Sequence, residues 1–296
     1  MARSCTVIVN PVAGGYRPEL GDTIVALLQG AGQKVSLRQT RSAGDAALLA
    51  REAAAETDPL IVVCGGDGTV GEVINGIGSA AATIAVIPVG TANVLALELG
   101  LDTIDKALAA VAASISRPLA LGRATTATGE RLFSLMAGIG FDGRVVAAVR
   151  SEEKRRFGKG AYLLAALRCL YRWESAPLAV TLEERKVVCH GLIICNARHY
   201  GGAFRLARQA SPFVPGFQVV CIQGARRRDY LRLCLAVVLG RVENCRGISV
   251  SSVTRVSVDG VAAIQLDGDA WLATPGVFTA ESDALRVIVP TSAPDR

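Results

Sequence analysis

The first 120 residues repeat one pattern, and that pattern leaves few folds open. A short apolar run ends in a turn marked by glycine or proline, and a helical stretch follows it. Residues 5–10 (CTVIVN) read as a buried strand stopped by Pro11 and the Gly14-Gly15 turn. Residues 20–30 carry helical periodicity, and residues 35–40 return as a strand. An alanine-rich helix is expected over residues 43–56 with Ser42 at its N-cap. Next come a strand at 60–64, a helix opening over 70–76, a strand at 83–88 and a helix at 92–99. Strands alternating with helices of this length pair in parallel, which predicts an α/β N-terminal domain with a layered, mostly parallel, Rossmann-like sheet. Such sheets take ligands at the carboxyl ends of their strands, where the glycine-rich turns of this chain fall.

From Leu121 onward the pattern changes to a predominantly β C-terminal domain. Strands are expected near residues 132–136, 178–182, 191–195, 217–223, 248–258 and 262–266. Two long helices interrupt them, at about 144–170, broken near Gly158, and at 228–239. The expected division is therefore 1–120 and 121–284. A last strand at 285–289 could return to either domain, and residues 285–296 could go back to the first.

Half of the chain is apolar, ample for a buried core, yet no run of about 20 apolar residues suggests a membrane span. The opening MARSCTVIVN runs directly into a strand and lacks a signal-peptide pattern, so a cytoplasmic chain is expected. Eight cysteines are scattered without a CxxC pair and with only two histidines, which reads as small buried hydrophobes in a reducing compartment. The formal net charge is +6, and two tight cationic clusters stand out, Lys154-Arg155-Arg156 with Lys159, and Arg226-Arg227-Arg228. Either cluster suits an anionic lipid or a phosphorylated substrate. Aromatic residues are not interleaved with them as in single-strand binders, so nucleic acid is not an expected partner.

Three turns carry the chemistry. The first strand ends in NPVAGG (residues 10–15), a middle one in GGDGT (65–69) and a later one in PVGTAN (88–93). A helix beginning among glycines offers unpaired N–H groups and the positive end of its dipole to phosphate. Yet GGDGT lacks the P-loop lysine, its spacing is not GxGxxG, and an acid stands inside it. Asp67 beside phosphates is repulsive unless a cation intervenes, so magnesium on a nucleotide, bound directly or through water, is the expected use. Capping of the following helix is the other use of an acid at this place.

The ordered set NPVAGG, Thr40, GGDGTVGEVINGI (65–77) and PVGTANVLALELGL (88–101) resembles the diacylglycerol kinase catalytic-domain family, specifically its bacterial lipid-kinase branch, and is similar to sphingosine and ceramide kinases. The likeness continues through GIGFD (138–142), KRRFGKGAY (154–162), NARHYGG (196–202) and LDGD (266–269). It implies an NAD kinase/diacylglycerol kinase-like fold and ATP-dependent phosphorylation of a lipid hydroxyl on diacylglycerol, a sphingoid base, ceramide or phosphatidylglycerol. Nucleotide contacts would fall on Asn10, Pro11, Gly14, Thr40, Gly65, Gly66, Asp67, Gly68, Thr69, Glu72 and Thr91, with Asp67 also meeting Mg2+. The family's base stands in an Asp-Gly-Glu motif, written here Asp267-Gly268-Asp269, so Asp269 is the expected base and Asp267 the second candidate. Family members often carry an acidic stretch for a structural magnesium after the tyrosine-glycine-glycine motif. Residues 207–216 (ARQASPFVPG) hold no carboxylate, so magnesium is expected at the nucleotide alone.

The segment GAYLLAALRCLYRW (160–173) mixes apolar residues with Arg168 and Arg172, which suits docking on the inner membrane face as well as packing on the second domain. Two other functions remain open. An NAD kinase shares GGDGT but carries a later Asn-Glu pair that this chain lacks, and a regulatory module would bind nucleotide without turnover.

Overall fold

The computed structural model describes residues 3–158, 160–282 and 285–291. They divide into two compact units, one running to Ala120 and resuming at Ser282, the other spanning Leu121–Glu281.

The first unit alternates β1 (Ser4–Val9), α1 (Pro18–Gly30), β2 (Lys34–Gln39), α2 (Asp45–Ala54), β3 (Leu60–Gly65), α3 (Asp67–Ile77) and β4 (Ala82–Pro88). Then follow α4 (Val94–Glu98), α5 (Ile104–Ala113) and β5 (Ser116–Pro118). The sheet is completed from far along the chain by β20 (Leu285–Ile288), in the order β2-β1-β3-β4-β20-β5. All its pairings are parallel except β20 with β5. Strands β3 and β4 are buried at every position, as parallel strands covered on both faces must be. Right-handed crossovers send α1 to one face, and α2 and α3 to the other. The connections from β1 and from β3 leave in opposite directions, so the sheet reverses its winding between these two adjacent strands.

Helices α2 and α3 approach closely because Gly76 has no side chain. A Cβ there would lie 2.1 Å from the Ala47 carbonyl oxygen.

The second unit is a sandwich of two antiparallel sheets. Its elements are β6 (Leu121–Thr126), β7 (Gly129–Phe133), β8 (Met136–Ile139), α6 (Phe141–Ala147), α7 (Ser151–Phe157), α8 (Gly160–Tyr171), β9 (Leu178–Leu182), β10 (Arg185–Cys189) and β11 (Gly191–Cys195). A two-stranded ribbon of β12 (His199–Tyr200) and β13 (Phe204–Arg205) follows. Then come β14 (Phe217–Ile222), α9 (Arg227–Val238), β15 (Ile248–Val253), β16 (Arg255–Asp259), β17 (Ala263–Leu266), β18 (Asp269–Ala273) and β19 (Gly276–Glu281). One sheet runs β10-β9-β16-β19-β6-β7, the other β15-β14-β11-β8-β17-β18. Phe133, Phe217 and Phe278 are buried with Val180, Val256 and Leu266 in the core of this unit. The first two of these rings stack at 5.7 Å.

Several local expectations are corrected. Ser42 is not an N-cap: Gly44 occupies that position with φ 89°, and the Asp45 carboxylate turns back to accept the N–H groups of Arg41 (2.7 Å) and Ser42 (2.9 Å). The expected helix over 144–170 breaks near Gly158, between α7 and α8, and breaks once more between α6 and α7. The single strand expected over 248–258 breaks at Thr254, because β15 and β16 belong to different sheets. Of the cysteines, Cys5, Cys64, Cys189, Cys195 and Cys221 are buried, while Cys234 is exposed and Cys169 and Cys245 are half-buried. Lys159 and the side chains of Lys154 and Arg155 lie outside the described residues. No helix among the described residues is long and apolar enough to cross a membrane.

Replacing Gly76 with Ala forces α2 and α3 apart and is expected to lower unfolding stability by about 1–3 kcal/mol, measured by urea denaturation.

Candidate functional site

The reversal between β1 and β3 is where doubly wound sheets bind their ligands. The residues beyond the carboxyl ends of these two strands are Asn10 and the Gly66-Asp67-Gly68-Thr69 turn. Asn10 bridges the gap: its side-chain N–H2 donates to the Thr69 hydroxyl at 3.1 Å, and its carbonyl oxygen accepts the Val12 N–H at 3.2 Å. Its own backbone N–H donates to Cys64 at 2.9 Å. Thr40 is tied to the same edge by its N–H to Val9 at 3.0 Å.

The third turn closes on the other two through backbone contacts. The Gly15 N–H donates to the Val89 carbonyl at 2.8 Å. A Cβ on Gly90 would lie 2.4 Å from the Gly66 Cα, and one on Gly65 would lie 2.6 Å from the Thr69 Cβ. These glycines are required by close approach, whereas a Cβ on Gly14 or Gly68 would meet nothing within 4 Å. Space is therefore open beside two glycines of the edge. Asn93, at φ 49°, holds the third turn by accepting the Gly90 N–H (2.9 Å) and donating to the Gly90 carbonyl (2.8 Å). Thr91 is exposed at its tip. Pro11 and Gly14 are likewise exposed, and Glu72 is half-buried one turn further along α3.

Asp67 is the first residue of α3, where a carboxylate is favoured by the helix dipole. It also accepts the Leu95 N–H at 3.1 Å, so it pins the start of α4 to the start of α3. The acid does cap a helix, and that helix is α4. The same edge carries a cation that the motif reading passed over, since Arg17 donates to the Tyr16 carbonyl at 2.7 Å. A cavity of about 650 Å³ in this unit lies away from the glycine edge, lined by Arg3, Lys34, Glu52 and Asp58.

In the second unit Asp267 and Gly268 form the two-residue turn between β17 and β18, with φ 51° and 88°. Asp-Gly supplies the paired positive φ that such a hairpin needs. The Asp267 carboxylate accepts four hydrogen bonds, from Ser134 N–H (2.7 Å) and hydroxyl (3.0 Å), Leu135 N–H (2.9 Å) and Met136 N–H (2.9 Å). These three residues are where the chain leaves β7 in one sheet and enters β8 in the other. Their carbonyls are met as well: Ser134 by the Asn196 side chain (2.8 Å), Leu135 by the Asn196 and Ala197 N–H groups, and Met136 by the Asp267 N–H.

Asp269 opens β18, paired with Leu266 across the hairpin. Its half-exposed carboxylate meets Arg131 at 3.1 Å. The residue before it is held by both of its backbone polar groups. Gly268 N–H donates to Gln265 at 2.7 Å, and the Tyr162 hydroxyl donates to the Gly268 carbonyl at 3.3 Å. Gln265 in turn donates to Asp142 at 2.8 Å, and Asp142 accepts the Tyr200 hydroxyl. Burial pushes the Asp142 carboxyl above its ordinary value, against the two hydrogen bonds that favour the charge. Arg131, Gln265 and Ser134 were not singled out from sequence.

The diacylglycerol kinase catalytic domain profile matches residues 4–124, and that of the YegS C-terminal NAD kinase beta sandwich-like domain matches residues 136–289. The chain belongs to the diacylglycerol kinase and YegS-like lipid kinase family. It is 29% identical to a diacylglycerol kinase of Bacillus subtilis over 96% of this chain and 95% of that one. A probable lipid kinase YegS-like protein of Pseudomonas aeruginosa is 28% identical, covering 91% and 89%. The crystal structure of a putative diacylglycerol kinase from Bacillus anthracis shares the fold with a TM-score of 0.82 at 22% identity, covering 99% of this chain and 97% of that one.

The two acids of the hairpin should respond differently to loss of charge. Asp267→Asn turns an N–H2 group toward two backbone donors and is expected to cost about 3 kcal/mol in denaturant titrations. Asp269→Asn removes only a partly exposed pair with Arg131 and is expected to cost less than about 1 kcal/mol.

Proposed function

We propose that this lipid kinase transfers the γ-phosphoryl group of ATP, held with magnesium at the glycine edge of the first unit, to the hydroxyl of a membrane lipid. The observation that carries this reading is the meeting of residues 10–15, 65–69 and 88–93 at the carboxyl ends of β1, β3 and β4, around open space beside Gly14 and Gly68. The N-terminus of α3 faces that edge and favours phosphate oxygens. Asn10, Pro11, Gly14, Thr40, Gly65, Gly66, Gly68, Thr69, Glu72 and Thr91 are the proposed nucleotide residues.

Among the described residues no group of three His, Cys, Asp or Glu side chains converges on one point. The donor set nevertheless fits magnesium held mainly by phosphates and water with one protein carboxylate, Asp67. Bound there, the ion would neutralise charge on the transferring phosphoryl group. Asp269 accepts the proton of the lipid hydroxyl. Asp267, with its acceptor positions taken by backbone, positions that residue instead.

The name of the Bacillus subtilis relative makes diacylglycerol the first acceptor to test, with a sphingoid base, ceramide and phosphatidylglycerol beside it. A peripheral position on the inner membrane face of the cytoplasm is supported by α8, where Leu163, Leu167 and Tyr171 are 65%, 55% and 83% exposed. An interfacial helix places such a row among acyl chains.

The test is radiolabelled ATP with magnesium and the lipid panel in mixed micelles, with NAD as a further acceptor. Labelled phospholipid is the expected product, and labelled NADP or binding without turnover overturns the reading. Asp269→Asn should lower turnover by about 10²–10⁴-fold with ATP affinity unchanged. Asp67→Asn keeps an oxygen for the Leu95 N–H and loses the charge that the α3 dipole favours, so it should stay folded, within about 1 kcal/mol of the parent chain, yet lose magnesium-dependent transfer. Full activity in that variant would remove the metal from the account.

A further inference from the structure

Helix α9 carries a second uncovered apolar row, and the longest unbroken arginine run of the chain stands at its start. The helix buries Tyr230, Leu233 and Ala236 against its own unit. On the opposite side Leu231, Leu235, Val238 and Leu239 are 54%, 60%, 63% and 57% exposed. Their spacing of four, three and one makes a continuous stripe, where a helix facing only water places polar residues. Arg226, Arg227, Arg228 and Arg232 are exposed around the amino end of the stripe, and Arg241 is exposed beyond its other end. The acid among them, Asp229, is engaged by the Arg226 N–H (3.1 Å) and by Arg232 (3.3 Å).

The start of α9 is fixed to the end of α8. The Trp173 indole donates to the Ala225 carbonyl at 3.1 Å, Arg227 donates to the Tyr171 carbonyl at 3.2 Å, and the Trp173 and Tyr230 rings meet edge-on at 5.0 Å. The exposed row of α8 therefore ends at the point where the arginine run begins.

We propose that α9 is a membrane-docking helix that selects anionic phospholipid, with residues 226–228 among the headgroups and the leucine stripe in the acyl boundary. The inference rests on the reading of the acceptor as a bilayer lipid, and adds to it a second helix and a requirement for negative charge. A second copy of this chain fits the surface less well. A two-fold interface would cover the leucine stripe but supplies no anionic surface for the arginine run. An anionic bilayer satisfies both features at once, each arginine near its surface adding roughly fivefold to partitioning.

The experiment sediments the full chain with vesicles of phosphatidylglycerol and phosphatidylcholine, and with phosphatidylcholine alone. Binding is expected to the anionic vesicles and to weaken with salt. Arg226→Gln with Arg228→Gln should weaken it about tenfold or more, and Leu231→Ser with Leu235→Ser about tenfold. Both variants should keep the parent's circular-dichroism melt and its rate on a short-chain, water-soluble acceptor. Equal binding to neutral and anionic vesicles, or parental binding in both variants, overturns the proposal. So does a dimer, seen by light scattering, that the leucine variant dissolves while vesicle binding persists. If the parent chain phosphorylates no lipid yet binds anionic vesicles through these residues, the kinase reading falls and the docking surface stands.

Discussion

A chain that passes from one sheet of a sandwich to the other must leave backbone donors outside both ladders, and the second unit is organised around that requirement. Ser134, Leu135 and Met136 make the passage, and the single carboxylate of Asp267 takes all three of their N–H groups. Unpaired, each of these donors would cost about 1–3 kcal/mol. The same passage fixes Asn196, whose side chain and backbone meet the carbonyls of Ser134 and Leu135. Two stretches of the sequence that look like separate motifs, NARHYGG and LDGD, thus serve one crossing. The hairpin that presents Asp269 is anchored to the core by its own turn residue.

The first unit solves a related problem with an acid in a glycine turn. Asp67 sits at the positive end of α3, which favours its charge, and it accepts the Leu95 N–H that the short helix α4 leaves unpaired. A role in the fold and a role toward a metal-bound phosphate are compatible for a carboxylate, because each oxygen has more than one acceptor direction. Of the glycines around it, Gly65, Gly66 and Gly90 answer a steric demand. Gly66 and Gly90 bring two loops into backbone contact, and a single methyl group would separate them.

Much of this was legible in the sequence where local chemistry decides structure. Alternating apolar runs and helices gave the parallel sheet, because buried strands such as β3 and β4 have no polar face to write. The three glycine turns were found because close approach excludes side chains. What the sequence hid depends on contacts made far along the chain. Residue 254 looks like the middle of one strand, yet the strand breaks there because its two halves join different sheets. Ser42 has the composition of an N-cap, but its hydroxyl donates to the Asp45 carboxylate at 3.0 Å and the helix begins only after Gly44. Arg131 and Gln265 carry no local signature, and their roles appear only once β7, β17 and β18 are folded together.

The loop at residues 207–216 is fastened in part by a cation. It holds no carboxylate, and its hold on the unit comes from Arg208, whose guanidinium donates to the Gly240 carbonyl at 2.6 Å. Gly240 follows the end of α9 with φ 63°, where helix carbonyls lack partners and the dipole is negative. A guanidinium is suited to both conditions, being permanently charged and able to donate in several directions. Leu206, Ala207 and Ala210 are buried beside it, so the loop is fastened by apolar contact as well. The bond between Arg208 and Gly240 couples this loop to the carboxyl end of α9, while Trp173 couples α8 to its amino end. The helix with the exposed leucine stripe is therefore held at both ends by interactions that leave its outer face untouched.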